Sequence, residues 1–363
     1  MMPARFRIHS QAKINSIPVL INLKELLNRK IIGVEDQVIN DQLIRFLGEL
    51  TNQKDEIEVL TSGSTSAPKP IKINKNALIA SAQATGDFLK LKPKDSALLC
   101  LPLDYIAGKM MLVRALVLGL NLTIRAASNQ PLKNETKGYD FSAMVPYQVS
   151  QSLSKLSLIK TLIVGGAPIS HSLNKQLKLI PSTIYETFGM TETISHIAMR
   201  NVHDNVFKAL KGVELSLTKQ NCLLINAPRV TSSIIETNDV VELISNKAFL
   251  WLARKDFIIN SGGIKVYPEQ VEKKLSEALP EESFIIASVK DKLLGERVVL
   301  LSKLKEKIPN SIFENRLERY QKPKAVYLSV PFFYTKSGKI NRVETIREFR
   351  KKFDNTNSDL KWY

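Results

Sequence analysis

Leu60-Thr61-Ser62-Gly63-Ser64-Thr65-Ser66-Ala67-Pro68-Lys69-Pro70 is the stretch around which this chain of 363 residues is organised. An acidic, apolar run, Glu56-Ile57-Glu58-Val59-Leu60, leads into an unbroken series of small and hydroxyl residues, and a lysine follows. Hydroxyls, a glycine and free backbone N–H groups can wrap a phosphate chain, and a lysine can neutralise it. The stretch is not a Walker A loop, because no second glycine stands directly before a Lys-Ser or Lys-Thr pair. Taken alone it reads more readily as a Ser/Thr-rich surface turn. What lies downstream decides between the two.

Working outward, residues 56–188 alternate short β-rich runs with segments of helical period. Strands are expected at 56–60, 96–101, 121–126, 141–145, 161–164 and 182–187, and helices at 76–91, 107–118 and 146–156. Such alternation predicts parallel pairing in a layered α/β domain. After Ser195 short β-like runs follow one another at 195–199, 213–218, 222–226, 240–244 and 249–252, which predicts a small, largely antiparallel subdomain. Beyond Lys255 a third texture begins. A glycine loop precedes a helix opened by Pro268 and running to residue 279. Strands at 283–289, 297–302 and 325–329, a helix near 312–320 and a final helix from Arg342 complete a compact α+β unit. The expected division is 1–255 and 256–363, a large layered α/β domain with a β-rich subdomain and a small, mobile α+β domain.

Composition narrows the function classes. Hydrophobic residues make up 44%, enough for a buried core. Two distant cysteines, Cys100 and Cys222, and four histidines without ligand spacing argue against a disulfide scaffold and a zinc site. Met1 to Arg7 shows no apolar signal core. The longest apolar run, 110–120, is interrupted by Arg114 and is too short to span a bilayer. A soluble cytoplasmic protein is expected. The net charge of +17 is spread along the chain, which suits a solvated surface that steers anions better than a nucleic-acid tail.

Four further stretches carry chemistry. Gly165-Gly166-Ala167-Pro168 ends a strand, where backbone can approach a ligand at the carboxyl edge of a parallel sheet, though the same residues also serve as a plain strand-to-helix turn. Tyr185-Glu186-Thr187-Phe188-Gly189-Met190-Thr191-Glu192-Thr193 offers an aromatic face for a base and hard oxygen ligands for Mg²⁺ on phosphates, or an ordinary strand and loop. Asp239 and Arg254 can hold ribose hydroxyls or phosphate, but singly are common surface charges. The last unit contributes a glycine turn, Ser261-Gly262-Gly263-Ile264, and a basic loop, Thr335-Lys336-Ser337-Gly338-Lys339-Ile340-Asn341-Arg342.

Together and in this order, these stretches resemble the adenylate-forming superfamily of acyl- and aryl-CoA ligases over roughly residues 56–342. The resemblance implies ATP, Mg²⁺ and CoA as cofactor and co-substrates. It implies phosphate contacts at Thr61, Ser62, Gly63, Ser64, Thr65 and Lys69, with Gly166, Ala167, Thr187 and Gly189 also at the nucleotide. By the same resemblance Phe188 lies at the adenine, Thr191 at phosphate, Glu192 at Mg²⁺ and Asp239 at the ribose. Arg254 precedes a hinge at Asp256, Gly262 and Gly263 line a CoA tunnel, and Lys339 binds the carboxylate and α-phosphate. Ser66, Asn238 and Ala253 replace family glycines, and the region before the phosphate loop is much shorter than in typical members.

Within the superfamily, the brevity, the Val-Gly-Gly-Ala-Pro turn and Leu101-Pro102-Leu103-Asp104-Tyr105-Ile106-Ala107-Gly108-Lys109 look most like the o-succinylbenzoate–CoA ligases of menaquinone biosynthesis. That resemblance places Tyr105 and Gly165 beside the acid. A second carboxylate needs a cationic partner, for which Lys109 and His196 are the candidates. The implied partners are a small carboxylic acid, ATP and CoA, with no nucleic acid and no membrane insertion, in a monomer or homodimer. A ligase for another aryl or medium-chain acid is the nearest rival. A basic nucleic-acid-binding protein without ATP turnover is the rival of another class.

Overall fold

The computed structural model describes residues 6–27, 37–60, 70–334 and 340–355. The chain opens with a short hairpin, β1 (Lys13–Ile14) and β2 (Ile17–Pro18), and two helices, α1 (Val19–Leu27) and α2 (Gln37–Thr51). A separate antiparallel pair follows, β3 (Glu56–Leu60) and β4 (Pro70–Asn74), with Leu60 opposite Pro70. The phosphate-loop candidates Thr61, Ser62, Gly63, Ser64, Thr65 and Lys69 lie outside the described residues, and the hairpin brings their two flanks together. The expected strand at 56–60 therefore forms, but pairs with β4 and stays out of the parallel sheet.

Next come α3 (Lys75–Leu89), β5 (Ser96–Leu99), α4 (Ile106–Leu118), β6 (Asn121–Ile124), β7 (Tyr139–Met144), α5 (Pro146–Ser150), β8 (Ile159–Val164), α6 (His171–Leu177) and β9 (Thr183–Gly189). Asn74 caps α3 by accepting from the Asn76 N–H at 2.8 Å, and Gly119 ends α4 with φ +77°. Strands β1, β6, β5, β7, β8 and β9 are hydrogen-bonded in that order and all parallel. Their side chains alternate between two buried clusters: Ile163 joins one, Leu162 and Val164 the other. A sheet covered on both faces explains why these strands read as near-continuous apolar runs.

Beyond β9 the same sheet continues antiparallel through β10 (His196–Asn201), β11 (Phe207–Ala209), β12 (Glu214–Leu217), β13 (Cys222–Asn226), β14 (Ile235–Ser245) and β15 (Ala248–Arg254). The expected antiparallel strands are present, but they extend one 13-stranded sheet. β10 pairs directly with β9, so backbone hydrogen bonds run from the parallel half into the antiparallel half without an edge.

After Arg254 a second sheet begins, built from β16 (Ile259–Ser261), β17 (Ile264–Val266), β18 (Phe284–Asp291), β19 (Gly295–Ser302) and β20 (Ala325–Tyr327). It is packed by α7 (Pro268–Leu275), α8 (Asn310–Glu314) and α9 (Arg342–Asn355). Gly262 and Gly263, at φ +59° and +82°, form the two-residue turn between β16 and β17, a conformation that excludes most side chains. The two units touch through α7 and the turn that follows it. The Gln270 amide donates to the carbonyls of Trp251 and Leu252 at 3.1 and 2.9 Å. Glu281 accepts from the Ser172 N–H at the start of α6. Among the described residues no helix is long and apolar enough to cross a membrane.

Candidate functional site

The carboxyl ends of β8 and β9 bring the first group of residues together. The chain leaves β8 at Gly165, whose N–H donates to the Met144 carbonyl at 3.1 Å, and turns at Gly166 with φ +80°. Thr187 donates its hydroxyl to the Val164 carbonyl at 3.2 Å, which aims Oγ1 at Gly165. A Cβ at Gly165 would lie 2.3 Å from that oxygen, so glycine is required there by contact. The carboxylate of Glu186, on the same strand, accepts from the Ile169 N–H at 3.1 Å and pairs with Arg200.

At the end of β9, Gly189 has no room for a side chain: an added Cβ would lie 2.4 Å from the Ser195 carbonyl oxygen. The turn from Met190 to Ser195 is sewn by the Thr193 hydroxyl, which accepts from the Met190 N–H at 3.0 Å and donates towards the Ser195 carbonyl at 2.7 Å. Ile194 is held at φ +66°, a strained region for a β-branched residue. The effect is to present Thr191 half-buried and Glu192 exposed at the sheet's carboxyl edge. Among the described residues no cluster of three or more His, Cys, Asp or Glu gathers to hold a metal. A single exposed carboxylate fits Mg²⁺ that arrives on phosphates and keeps its own water ligands.

Phe188 is half-buried, and its ring packs edge-on to Phe249 and tilted to Phe207, with centroids 5.1 and 5.8 Å away. Asp239 is 5% exposed on β14, opposite Arg254 on β15. Its carboxylate accepts from the Trp251 indole at 2.9 Å and from the Arg254 guanidinium at 3.4 Å, which fixes its direction and leaves lone pairs free. Asp256 follows in a turn joining the two sheets, and accepts from the Asn238 amide at 3.4 Å. Lys339 lies outside the described residues, and its flanks are brought together by an antiparallel bridge between Tyr334 and Ile340.

The acid-side candidates separate. Tyr105 is exposed at the start of α4. Lys109 faces α2, with Nζ 3.9 Å from Glu49 and 4.8 Å from the centroid of the Phe46 ring. Burial lowers its pKa and Glu49 opposes that shift. His196 is 8% exposed, with Nε2 3.1 Å from Thr85 Oγ1 and Nδ1 3.3 Å from Ser195 Oγ. Burial, reinforced by Arg114, holds its pKa well below the ordinary value, so the imidazole is neutral at pH 7.

The cation beside His196 is Arg114, not Lys109. Arg114 is 2% exposed on α4 and donates to Ser195 Oγ at 2.8 Å, while its Nε has no partner among the described residues. Burial pulls its pKa down to about 9, and among the described residues no carboxylate opposes the shift. Arg114 and Lys109 are five positions apart on the helix and so point to different sides. The signal that could have found Arg114 was present as the lone charge inside the longest apolar run.

A parallel sheet whose carboxyl ends gather a glycine turn, a Thr-Glu turn and, one sheet segment away, a buried carboxylate defines an α/β protein with its ligand site at the strand ends. Residues 53–223 match the family described as AMP-binding enzyme. The 2-succinylbenzoate–CoA ligase of Staphylococcus epidermidis is 26% identical over 78% of this chain and 68% of its own. The ligase of that name from Salmonella typhimurium is 28% identical over 66% of this chain and 56% of its own. The chain thus spans between 56% and 68% of the length of these curated relatives. The solved structure of an acyl-CoA synthetase (AMP-forming)/AMP-acid ligase II-like protein from Dyadobacter fermentans superposes with a TM-score of 0.61 at 31% identity. The match covers 88% of this chain and 97% of that one. The chain belongs to the AMP-binding enzyme family.

Proposed function

We propose that this chain is an AMP-forming acid–CoA ligase that converts o-succinylbenzoate into its CoA thioester for menaquinone biosynthesis. The single observation that carries the choice of acid is Arg114. A buried guanidinium without a carboxylate among the described residues is costly, and an acid with a second carboxylate supplies the missing charge. The neutral His196, held by Thr85, and the Ser195 hydroxyl add neutral polar atoms beside the same spot. The names of the curated relatives point to the same acid.

In this reading the adenine lies between the 165–167 turn and Phe188, Thr187 and Gly189 border the nucleotide, and Asp239 accepts from the ribose hydroxyls. Arg254 stands at the ribose and phosphate edge, Thr191 meets a phosphate, and Glu192 meets the Mg²⁺ of Mg·ATP. The carboxylate of the acid attacks the α-phosphorus, an acyl-phosphate bond forms and pyrophosphate leaves. Lys339 offsets the charge that builds on that phosphate. The unit of residues 256–363 then turns about Asp256 and presents Gly262 and Gly263 beside CoA. The CoA thiolate attacks the acyl carbon, the thioester forms and AMP leaves.

The test is acid-dependent exchange of pyrophosphate into ATP with o-succinylbenzoate and benzoate, in the natural chain and in Arg114→Met. The natural chain should favour o-succinylbenzoate. Arg114→Met should lose about 100-fold in kcat/KM for that acid, since it strands a buried carboxylate, and lose little for benzoate. Equal losses for both acids would remove Arg114 from the acid site.

A further inference from the structure

Glu186 lies beside the residues assigned to the nucleotide but has no role in the reaction as described. We infer that it is a positioning residue for the nucleotide, clamping the 165–169 turn to β9. The inference rests on the reading above that the nucleotide occupies the space between this turn and Phe188.

Glu186 is 6% exposed, and its two carboxylate oxygens face two different donors. Oε1 accepts from the backbone N–H of Ile169 at 3.1 Å, at the far end of the turn. Oε2 accepts from the Arg200 guanidinium, whose Nε stands 2.8 Å away. Arg200 is directly opposite Glu186 on β10, so the pair is set by strand register. The near end of the turn is fastened separately, by the Gly165 N–H to the Met144 carbonyl. The carboxylate therefore holds the end of the turn that β8 does not.

The same ion pair reaches the opposite wall. The guanidinium of Arg200 lies 5.0 Å from the centroid of the Phe207 ring, and Phe207 packs against Phe188 at 5.8 Å. Glu186 thus links the backbone on one side of the proposed adenine to the aromatic group on the other. The gap between those walls determines how well a flat ring is gripped, and Glu186 is the side chain that spans the link. Only a carboxylate accepts from both donors at once. A glutamine has one acceptor oxygen, and its NH₂ group must face either the Ile169 N–H or the guanidinium.

The experiment titrates Mg·ATP into the full chain and its variants by calorimetry, and measures the KM for the acid in parallel. Glu186→Gln should weaken ATP binding about tenfold while the KM for the acid stays within about twofold. Glu186→Asp, which keeps the charge but is too short to meet both donors, should weaken ATP binding similarly and takes the place of the glutamine variant if that does not fold. Unchanged ATP affinity in a folded variant, or parallel loss of ATP and acid binding, would overturn the assignment. A natural chain that binds no ATP would remove the functional reading and this inference with it. ATP binding that persists in the natural chain and is equal in the variant removes this inference alone.

Discussion

Arg114 and His196 show how a single buried group constrains both stability and chemistry. A buried guanidinium with no carboxylate beside it among the described residues is a poor device for stability alone. Replacing it with methionine should leave the unfolding temperature of the free chain unchanged or raised, even as activity falls, and a thermal melt beside the exchange assay checks both. His196 has its own signature. Its folded pKa is depressed by burial, so below the ordinary histidine range the unfolded chain binds a proton that the folded chain refuses. Stability should therefore fall as the pH drops below about 6.5, by up to about 1.4 kcal/mol per unit, and be indifferent to this group above it. Denaturant melts between pH 5 and 7.5 read that slope, and His196→Asn should flatten it. A natural chain as stable at pH 5 as at 7 would contradict the burial of this imidazole.

At the scale of elements, the strand ends were more legible in the sequence than their surroundings. The parallel strands announced themselves as apolar runs because both faces of the sheet are covered, and Gly165-Gly166 and Gly189 marked where backbone must pass close to its neighbours. Other elements depart from their sequence pattern for physical reasons. The expected helix over 146–156 is α5 followed by a 3-10 turn at Leu153–Leu158, where the apolar residues satisfy a tighter helix equally well. The strand at 70–74 was hidden by Pro70 and alternating polar residues, and α6 was too short and polar to show a period. Lys109 and His196 stand out as cation candidates because position along the chain is visible in a sequence, whereas the helical phase that sets Arg114 beside Ser195 is not. The β8–β9 junction gives a direct test. Gly165→Ala should destabilise the chain by about 1–3 kcal/mol through its clash with Thr187 Oγ1. Adding Thr187→Ala should recover a large part of that loss, because the next contact, Thr187 Cβ, is 3.7 Å away. Additive losses in the double variant would show that the contact is not the reason for glycine.

For the whole molecule, two sheets meet at the turn that holds Asp256. The 13-stranded sheet carries Gly165, Thr187, Phe188, His196, Asp239 and Arg254 at or beside its strands, the second sheet carries the Gly262-Gly263 turn, and the flanks of Lys339 meet in an isolated bridge outside both. A second sheet begins where the texture of the sequence changes after Lys255, but the contacts across that junction are not legible in the sequence. Gln270 against the end of β15 and Glu281 at α6 depend on orientation, which local pattern does not encode. In the proposed cycle the unit of residues 256–363 serves both half-reactions with different groups, Lys339 in adenylation and the Gly262-Gly263 turn in thioester formation. Lys339→Ala should abolish adenylation while a supplied acyl-adenylate is still converted to thioester, and equal loss in both half-reactions would refute the role given to Lys339.

In the proposed function the chain joins o-succinylbenzoate to CoA at the expense of ATP. Mass spectrometry of the products formed by the purified chain with Mg·ATP, CoA and o-succinylbenzoate tests it most directly. The predicted result is o-succinylbenzoyl-CoA, AMP and pyrophosphate in equal amounts. Formation of ADP and phosphate, or of AMP with no thioester, would contradict it.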